Sequence, residues 1–209
     1  MIVLGLTGSI GMGKSTAANM LRAMGVPVHD SDAAVHGLYA RDRAMREQIA
    51  TRFSGVVDET GGEDSVDRQA LGAAVFGDAA ARRDLEEIVH PRVRSAANAF
   101  VLHHRRQRTP LVVLDIPLLY ETGGEDRVDG VIVVTAPAAL QRRRVMARPG
   151  MDANRFAGIL ASQMPDLEKR PRADFVVETG LGKAYTFRRL KRIVMAIRTA
   201  VQSGPPGTI

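Results

Sequence analysis

The 209-residue sequence predicts a doubly wound α/β fold built on a parallel sheet, and three observations lead there. Five compact apolar runs punctuate the chain, each suited to a strand covered on both faces. Stretches with helical periodicity separate them, as parallel crossovers require. The first run leads into Gly8-Ser9-Ile10-Gly11-Met12-Gly13-Lys14-Ser15, a full match to the phosphate-binding pattern G-x-x-x-x-G-K-[ST].

The elements follow in order. Ile2 to Leu6 is the first strand. Gly8 to Gly13 forms a loop whose successive N–H groups point into one anion-sized hollow. A helix opens at the end of the loop and aims its positive dipole end at the same anion. Ala17, Met20, Leu21 and Met24 give that helix an apolar face, and Gly25 followed by Pro27 ends it. Val26 to His29 is a short second strand ending at Asp30. Residues 33–110 are too long for one crossover and read as an inserted helical subdomain. There Asp67 caps a helix carrying Leu71, Ala74 and Val75, and Asp78 caps one carrying Leu85, Ile88 and Val89. Pro91 suits the first turn of a further helix with the stripe Val93, Ala97, Phe100 and Val101. The polar stretch from Asp58 to Asp64 reads as a mobile loop.

Leu111 to Leu114, Gly130 to Val134 and Asp174 to Val177 supply the other three strands. Between the last two, residues 138–172 form a second helical excursion broken at Pro149-Gly150. A final helix runs from about Lys183 to Val201, with Phe187, Leu190, Ile193, Ile197 and Val201 on one face, and residues 203–209 read as a disordered tail.

Composition narrows the function. The absence of cysteine excludes disulfides, thiolate metal sites and a cysteine nucleophile. No apolar run reaches transmembrane length. A loop starting at residue 8 leaves no room for a cleavable signal, so the cytoplasm is the expected compartment, with no membrane partner. The net charge of +6 suits a polyanionic ligand. With no Trp and few Tyr or Phe, a stacking platform for nucleic acid is not expected. A guanine-reading switch is also excluded, because the chain holds no Asn-Lys or Thr-Lys pair.

Several residues could carry chemistry. Lys14 can reach the β and γ phosphates of a nucleotide, and Ser15 offers a hydroxyl to Mg²⁺. Asp30 and Asp32 lie two apart, so in an extended segment both would face the crevice at the strand ends. Either could orient an attacking alcohol and take its proton, or one could merely cap the next helix. Asp115 ends an apolar strand, where a second Mg²⁺ handle is expected. Gln141, Arg144 and Arg148 share a helical face, whose two guanidinium groups could clamp phosphates bidentately or simply make an exposed basic helix. His90 reads as structural from its surroundings, as do His103 and His104 at a helix end. No histidine pair stands at transition-metal spacing.

The ordered set of motifs resembles the dephospho-coenzyme A kinases. The resembling elements are Leu6 to Thr16, Asp30-Ser31-Asp32, Leu85 to Pro91, Asp115-Ile116-Pro117-Leu118-Leu119-Tyr120-Glu121, Gln141 with Arg144 and Arg148, Gln163-Met164-Pro165, Lys169-Arg170 and Ala173-Asp174-Phe175. The resemblance implies a P-loop kinase core with a five-stranded parallel sheet, a helical acceptor-binding subdomain at 33–110 and a helical lid at 138–172. It implies ATP and Mg²⁺ as cofactors. The implied reaction is phosphorylation of the ribose 3′-hydroxyl of dephospho-coenzyme A, the last step of coenzyme A biosynthesis.

The same resemblance assigns roles. Asp32 is the general base, and Lys14, Arg144 and Arg148 act on the phosphates. Gly8, Gly11, Met12, Gly13, Lys14, Ser15 and Thr16 hold the nucleotide, with Ser15 and Asp115 at the metal. Thr7, Asp30, His90, Pro91, Leu118 and Glu121 stand at the substrate, which overturns the structural reading of His90. The sequence departs from the family pattern with Ser31 for Ala, Tyr120 for Phe, and Ile159 where an arginine is common. The nearest alternative is another small-molecule or nucleoside monophosphate kinase of the same fold. The enzyme is expected to act as a monomer or weak homo-oligomer.

Overall fold

A computed structural model describes residues 1–58, 65–75 and 77–203. Two compact units divide the chain: Met1–His29 with the chain from Val101 onward, and Asp30–Phe100. The sequence places the inserted subdomain at 33–110.

The first unit is the α/β core. Strand β1 (Ile2–Thr7) leads through the glycine loop to helix α1 (Lys14–Ala23) and then to β2 (Val28–Asp30). Helix α1 ends in a Schellman motif: Gly25 at φ 69° donates to Arg22 O at 2.9 Å, and Val26 donates to Leu21 O at 3.1 Å. The second unit holds helices α2 (Ser31–Arg41) and α3 (Arg43–Arg52), strands β3 (Val57–Asp58) and β4 (Ser65–Val66), helix α4 (Arg68–Val75) and most of α5 (Ala79–Arg106). The core resumes with β5 (Leu111–Asp115), β6 (Gly130–Thr135), helices α6 (Ala138–Met146), α7 (Ala153–Ala161) and α8 (Asp166–Lys169), β7 (Phe175–Glu178) and α9 (Lys183–Gln202).

The sheet is parallel, in the order β2-β5-β1-β6-β7. Leu6 pairs with Asp115 on one side of β1, and Thr7 with Val133 on the other. From β1 the chain moves toward the β2 edge, and from β6 it moves the opposite way to β7. The glycine loop therefore leaves the sheet at the point of reversal, where ligand crevices form in such folds. Alternation along β6 sorts the core into two layers. Ile132 and Val134 pack with Leu6, Leu21 and Leu190, while Val131 and Val133 pack with Leu119 and Tyr120. Leu6, Leu21, Ile132 and Leu190 are fully buried, each stabilising the fold by about 1.5–3 kcal/mol. The second unit has its own core of Met45, Ile49, Phe53, Leu71 and Val89.

The five expected strands and the caps at Asp67 and Asp78 are present. Asp67 Oδ1 accepts from Gln69 and Ala70, and Asp78 Oδ1 from Ala80 and Ala81. Three local expectations need correction. Pro91 does not start a helix; it lies inside α5, a single 28-residue helix. Proline removes one donor from the ladder and costs about 3 kcal/mol in a helix interior. Burial of Val89 and Ala97 on either side holds the helix together. Arg92 adds a tie, donating to Ile88 O at 2.6 Å and to Asp42 Oδ2 at 3.0 Å, while Asp42 caps α3. The second correction is to the helical reading of 33–110, which also holds a small antiparallel pairing of β3 with β4 that two-residue strands leave no pattern to announce. The third is Phe187, which is 37% exposed while Leu190, Ile193 and Val194 take the buried face of α9. The expected mobile loop at 58–64, beyond Asp58, and the expected disordered tail, beyond Ser203, lie outside the described residues.

Candidate active site

The phosphate loop is shaped by contacts a side chain would prevent. A Cβ on Gly8 would stand 2.7 Å from Val134 O and 2.5 Å from Val134 Cγ2, so only glycine lets β1 turn there. Met12 donates its N–H to Ser9 O at 3.1 Å, closing the curl. Gly13 adopts φ 92° and precedes α1 with no side-chain cap and no acid in the first turn. The first-turn amides of Lys14, Ser15 and Thr16 thus open an uncapped, positively polarised helix end. Ser15 and Thr16 are exposed there. Met12 turns its side chain inward at 3% exposure, and its Sδ accepts the Ala136 N–H at 3.1 Å.

Lys14 and Asp115 form an ion pair at 2.6 Å. The carboxylate is buried at the end of β5 and the ammonium is nearly so, with 3% and 16% side-chain exposure. The two groups expected at phosphate and metal therefore sit together at the strand ends.

Arg144 reaches the loop as well. Its guanidinium donates to Gly11 O at 3.3 Å, Thr179 Oγ1 at 3.0 Å and Thr179 O at 3.0 Å. Thr179 donates in turn to Met12 O at 2.7 Å. Gln141 donates to Ile10 O at 2.8 Å, and Gln163 accepts from Ile10 N at 3.0 Å. Sequence reasoning missed Thr179 entirely and gave Gln163 no role. Both act through long-range hydrogen bonds to main-chain atoms, which leave no local pattern.

Other expected residues are placed differently. Arg148 does not continue the Gln141–Arg144 face, because α6 stops at Met146 and the Pro149-Gly150 turn follows; it is exposed beyond the helix end. Asp30 and Asp32 are not alternate residues of one strand. Helix α2 starts at Ser31, so Asp30 becomes its N-cap, accepting from Ala33 N at 3.0 Å, and Asp32 falls in the first helical turn. Thr7 is fully buried and donates to Pro117 O at 3.0 Å, which turns it inward rather than toward a substrate. Glu121 is likewise directed inward: its Oε1 accepts from Met164 N at 2.8 Å and pairs with the fully buried Lys169 at 2.8 Å. Leu118 is half-buried in the turn after β5, and its carbonyl accepts from Thr122.

Within the second unit, Asp32 lines a cavity of about 390 Å³. Val35, Leu71 and Val75 give it an apolar wall, and His36, Tyr39 and Arg68 give it polar groups. The Arg68 guanidinium lies 3.0 Å from His36 Nε2. Burial raises the Tyr39 phenol above its ordinary value, a shift the nearby Arg68 charge opposes. His90 and Pro91 line a separate groove on α5 with Arg83, Glu86 and Arg94. Among the described residues no cluster of three or more His, Asp or Glu could hold a metal, and no helix is long and apolar enough to cross a membrane.

A parallel sheet with a glycine loop at its reversal point, an uncapped helix end and a lysine beside a buried aspartate defines a phosphate-loop kinase. The family model described as dephospho-CoA kinase (CoaE) matches residues 2–182. The chain belongs to the dephospho-CoA kinase family. A dephospho-CoA kinase of Paramagnetospirillum magneticum is 58% identical over 207 residues, covering 99% of this chain and 96% of the relative. One from Mesorhizobium japonicum is also 58% identical, over 87% of this chain and 89% of the relative. A solved Thermus thermophilus structure superposes with a TM-score of 0.79 at 40% identity, covering 93% of this chain and 96% of that one. The dephospho-CoA kinase of Campylobacter jejuni, at 24% identity and a TM-score of 0.64, shares the fold.

Proposed function

We propose that this chain transfers the γ-phosphoryl group of ATP to the ribose 3′-hydroxyl of dephospho-coenzyme A, giving coenzyme A and ADP. The observation that carries the reading is the loop from Gly8 to Gly13 opening an uncapped helix that begins with Lys14. Its amides and the Lys14 ammonium match the charge of a triphosphate. The donor set near it, the Ser15 hydroxyl and the Asp115 carboxylate, is made of hard oxygens and suits Mg²⁺, which takes few protein ligands and keeps phosphate and water for the rest. Mg²⁺ bound there would supply charge neutralisation of the phosphates.

In the reaction the 3′-oxygen forms a bond to the γ-phosphorus as the bond from phosphorus to the β–γ bridging oxygen breaks. Asp32 receives the hydroxyl proton, and the bridging oxygen leaves with ADP. Lys14 shifts its charge from Asp115 toward the γ-phosphate. Arg144 keeps the loop in shape through Gly11 and Thr179, and Arg148 is free of the helix to reach the phosphates. The cavity beside Asp32, with its apolar wall and the Arg68 guanidinium, suits an acceptor that carries both an acyl-amide arm and a diphosphate. His90 and Pro91 are proposed to shape the acceptor's surroundings. The proposed setting is the cytoplasm, with the protein acting as a monomer or weak homo-oligomer.

The test is a purified-protein assay with Mg·ATP and a panel of acceptors. Dephospho-coenzyme A should be phosphorylated and the nucleoside monophosphates left unchanged; preferential turnover of a nucleoside monophosphate would overturn the assignment. Asp32→Asn should bind ATP as the wild type does while losing most turnover. Turnover near wild type would remove Asp32 as the base.

A further inference from the structure

Ile10, at the tip of the phosphate loop, has both of its main-chain hydrogen-bonding groups taken by side chains from the same helical excursion. Gln141 on α6 donates to its carbonyl at 2.8 Å, and Gln163, just after α7, accepts from its N–H at 3.0 Å. Neither glutamine is loosely held. Gln141 is 5% exposed on a helix whose next turn carries Arg144, itself bonded to Gly11 O. Gln163 has its own N–H on Leu160 O, and its neighbour Met164 donates to Glu121, the partner of fully buried Lys169.

We infer that Gln141 and Gln163 are positioning residues that clamp Ile10 and set the curvature of the phosphate loop before the nucleotide arrives. The inference rests on the reading that this loop binds ATP. The chemistry of the amide explains the choice. A residue's main chain offers one donor and one acceptor, and one amide oxygen and one amide NH₂ satisfy both without adding charge. A carboxylate at 141 would set lone pairs against the Ile10 carbonyl. A carboxylate at 163 could still accept the N–H, but would bring negative charge to a hollow built for an anion. A loop held in its binding shape loses less freedom when ATP binds, so the clamp raises nucleotide affinity without touching the nucleotide. It also ties residues 142–162 to the loop, because both ends of that segment hold the same residue.

The test uses the full-length protein and calorimetric titration with Mg·ATP. Gln163→Met and Gln141→Met keep side-chain length and remove the hydrogen bond. Each should weaken ATP binding about 2- to 10-fold, the range expected for one neutral hydrogen bond. The affinity for dephospho-coenzyme A should stay at the wild-type value, and the melting temperature should fall by no more than about 2–6 °C, as the loss of one hydrogen bond allows. The double variant should lose less than the product of the two single losses, since both glutamines act through Ile10. Gln163→Glu should bind ATP more weakly than Gln163→Met at low salt and recover as salt rises. Unchanged ATP affinity in Gln163→Met would overturn the clamp. So would fully multiplicative losses, or a fall in acceptor affinity as large as the fall for ATP. Wild-type protein that bound no ATP would instead defeat the kinase reading, so the two failures are distinguishable.

Discussion

Lys14→Met should damage the fold as well as the chemistry, and the ion pair with Asp115 sets the scale. The pair is 2.6 Å long, and the Asp115 side chain is only 3% exposed. Replacing Lys14 by an apolar side chain of similar length takes its ion-pair cation from a carboxylate whose side chain is only 3% exposed. Removing one member of a buried pair costs about 3–5 kcal/mol, whereas replacing both members is often neutral. For a chain of this size, about 3 kcal/mol lowers the melting temperature by roughly 6–12 °C. The second variant, Lys14→Met with Asp115→Asn, removes both charges and should recover most of that loss. Neither should regain turnover, because the group proposed to meet the phosphates is gone from both. Calorimetric melting of nucleotide-free protein measures the effect. A Lys14→Met melting point within about 2 °C of wild type would refute the reasoning, at the low end of what about 1 kcal/mol produces. Equal losses in the single and double variants would refute its attribution to the pair.

Two further substitutions test the scaffold. Gly8→Ala would push a methyl group to 2.7 Å from the Val134 carbonyl, a main-chain atom that cannot swing away. Overpacking of this kind costs about 1–3 kcal/mol, so the variant should melt lower and bind ATP less tightly; wild-type melting would show that the loop yields. Tyr120→Phe restores the side chain common in the family and removes the hydrogen bond to Arg172 O at 2.9 Å, for a loss of about 0.5–1.5 kcal/mol. Burial raises the Tyr120 phenol above its ordinary 10.0, with Asp174 and Glu125 adding to the shift and Arg172 opposing it. A raised folded value favours the neutral phenol in the native state. Its stabilisation is therefore complete below pH 10 and fades as pH climbs through the folded value. Denaturant melts at pH 8 and pH 11 should show the wild type losing more stability than Tyr120→Phe, and equal losses would contradict the shift.

The strand–loop–helix at the amino terminus was legible because its signals are local: an apolar run, glycines at fixed spacing, a 3.6-residue stripe and a glycine stop. The same holds for β5, β6 and β7, whose apolar runs have no competing pattern. Legibility failed where two local rules compete. At Asp30-Ser31-Asp32 strand alternation and helix capping both fit the residues, and the abrupt start of α2 decided for capping. At Pro91 the proline rule argued for a helix start, while apolar packing on both sides carried the helix through. Arg148 followed a helical spacing that ends two residues earlier. Thr7 and Glu121 sit in motifs the resemblance recognises, yet their side chains hold the turn after β5 and the stretch after α7. Thr179 and Gln163 meet the loop across more than 150 residues of chain, a distance no window along the sequence spans.

The sulfur of Met12 has a consequence of its own. In a chain without cysteine, thioethers are the side chains most readily oxidised. The Met12 sulfur is enclosed and already accepts the Ala136 amide. Peroxide would reach it only if the loop opened, and the added oxygen would then obstruct closure. Sulfoxide formation at Met12, set against that at the exposed Met195, would therefore report the fraction of time the loop stands open.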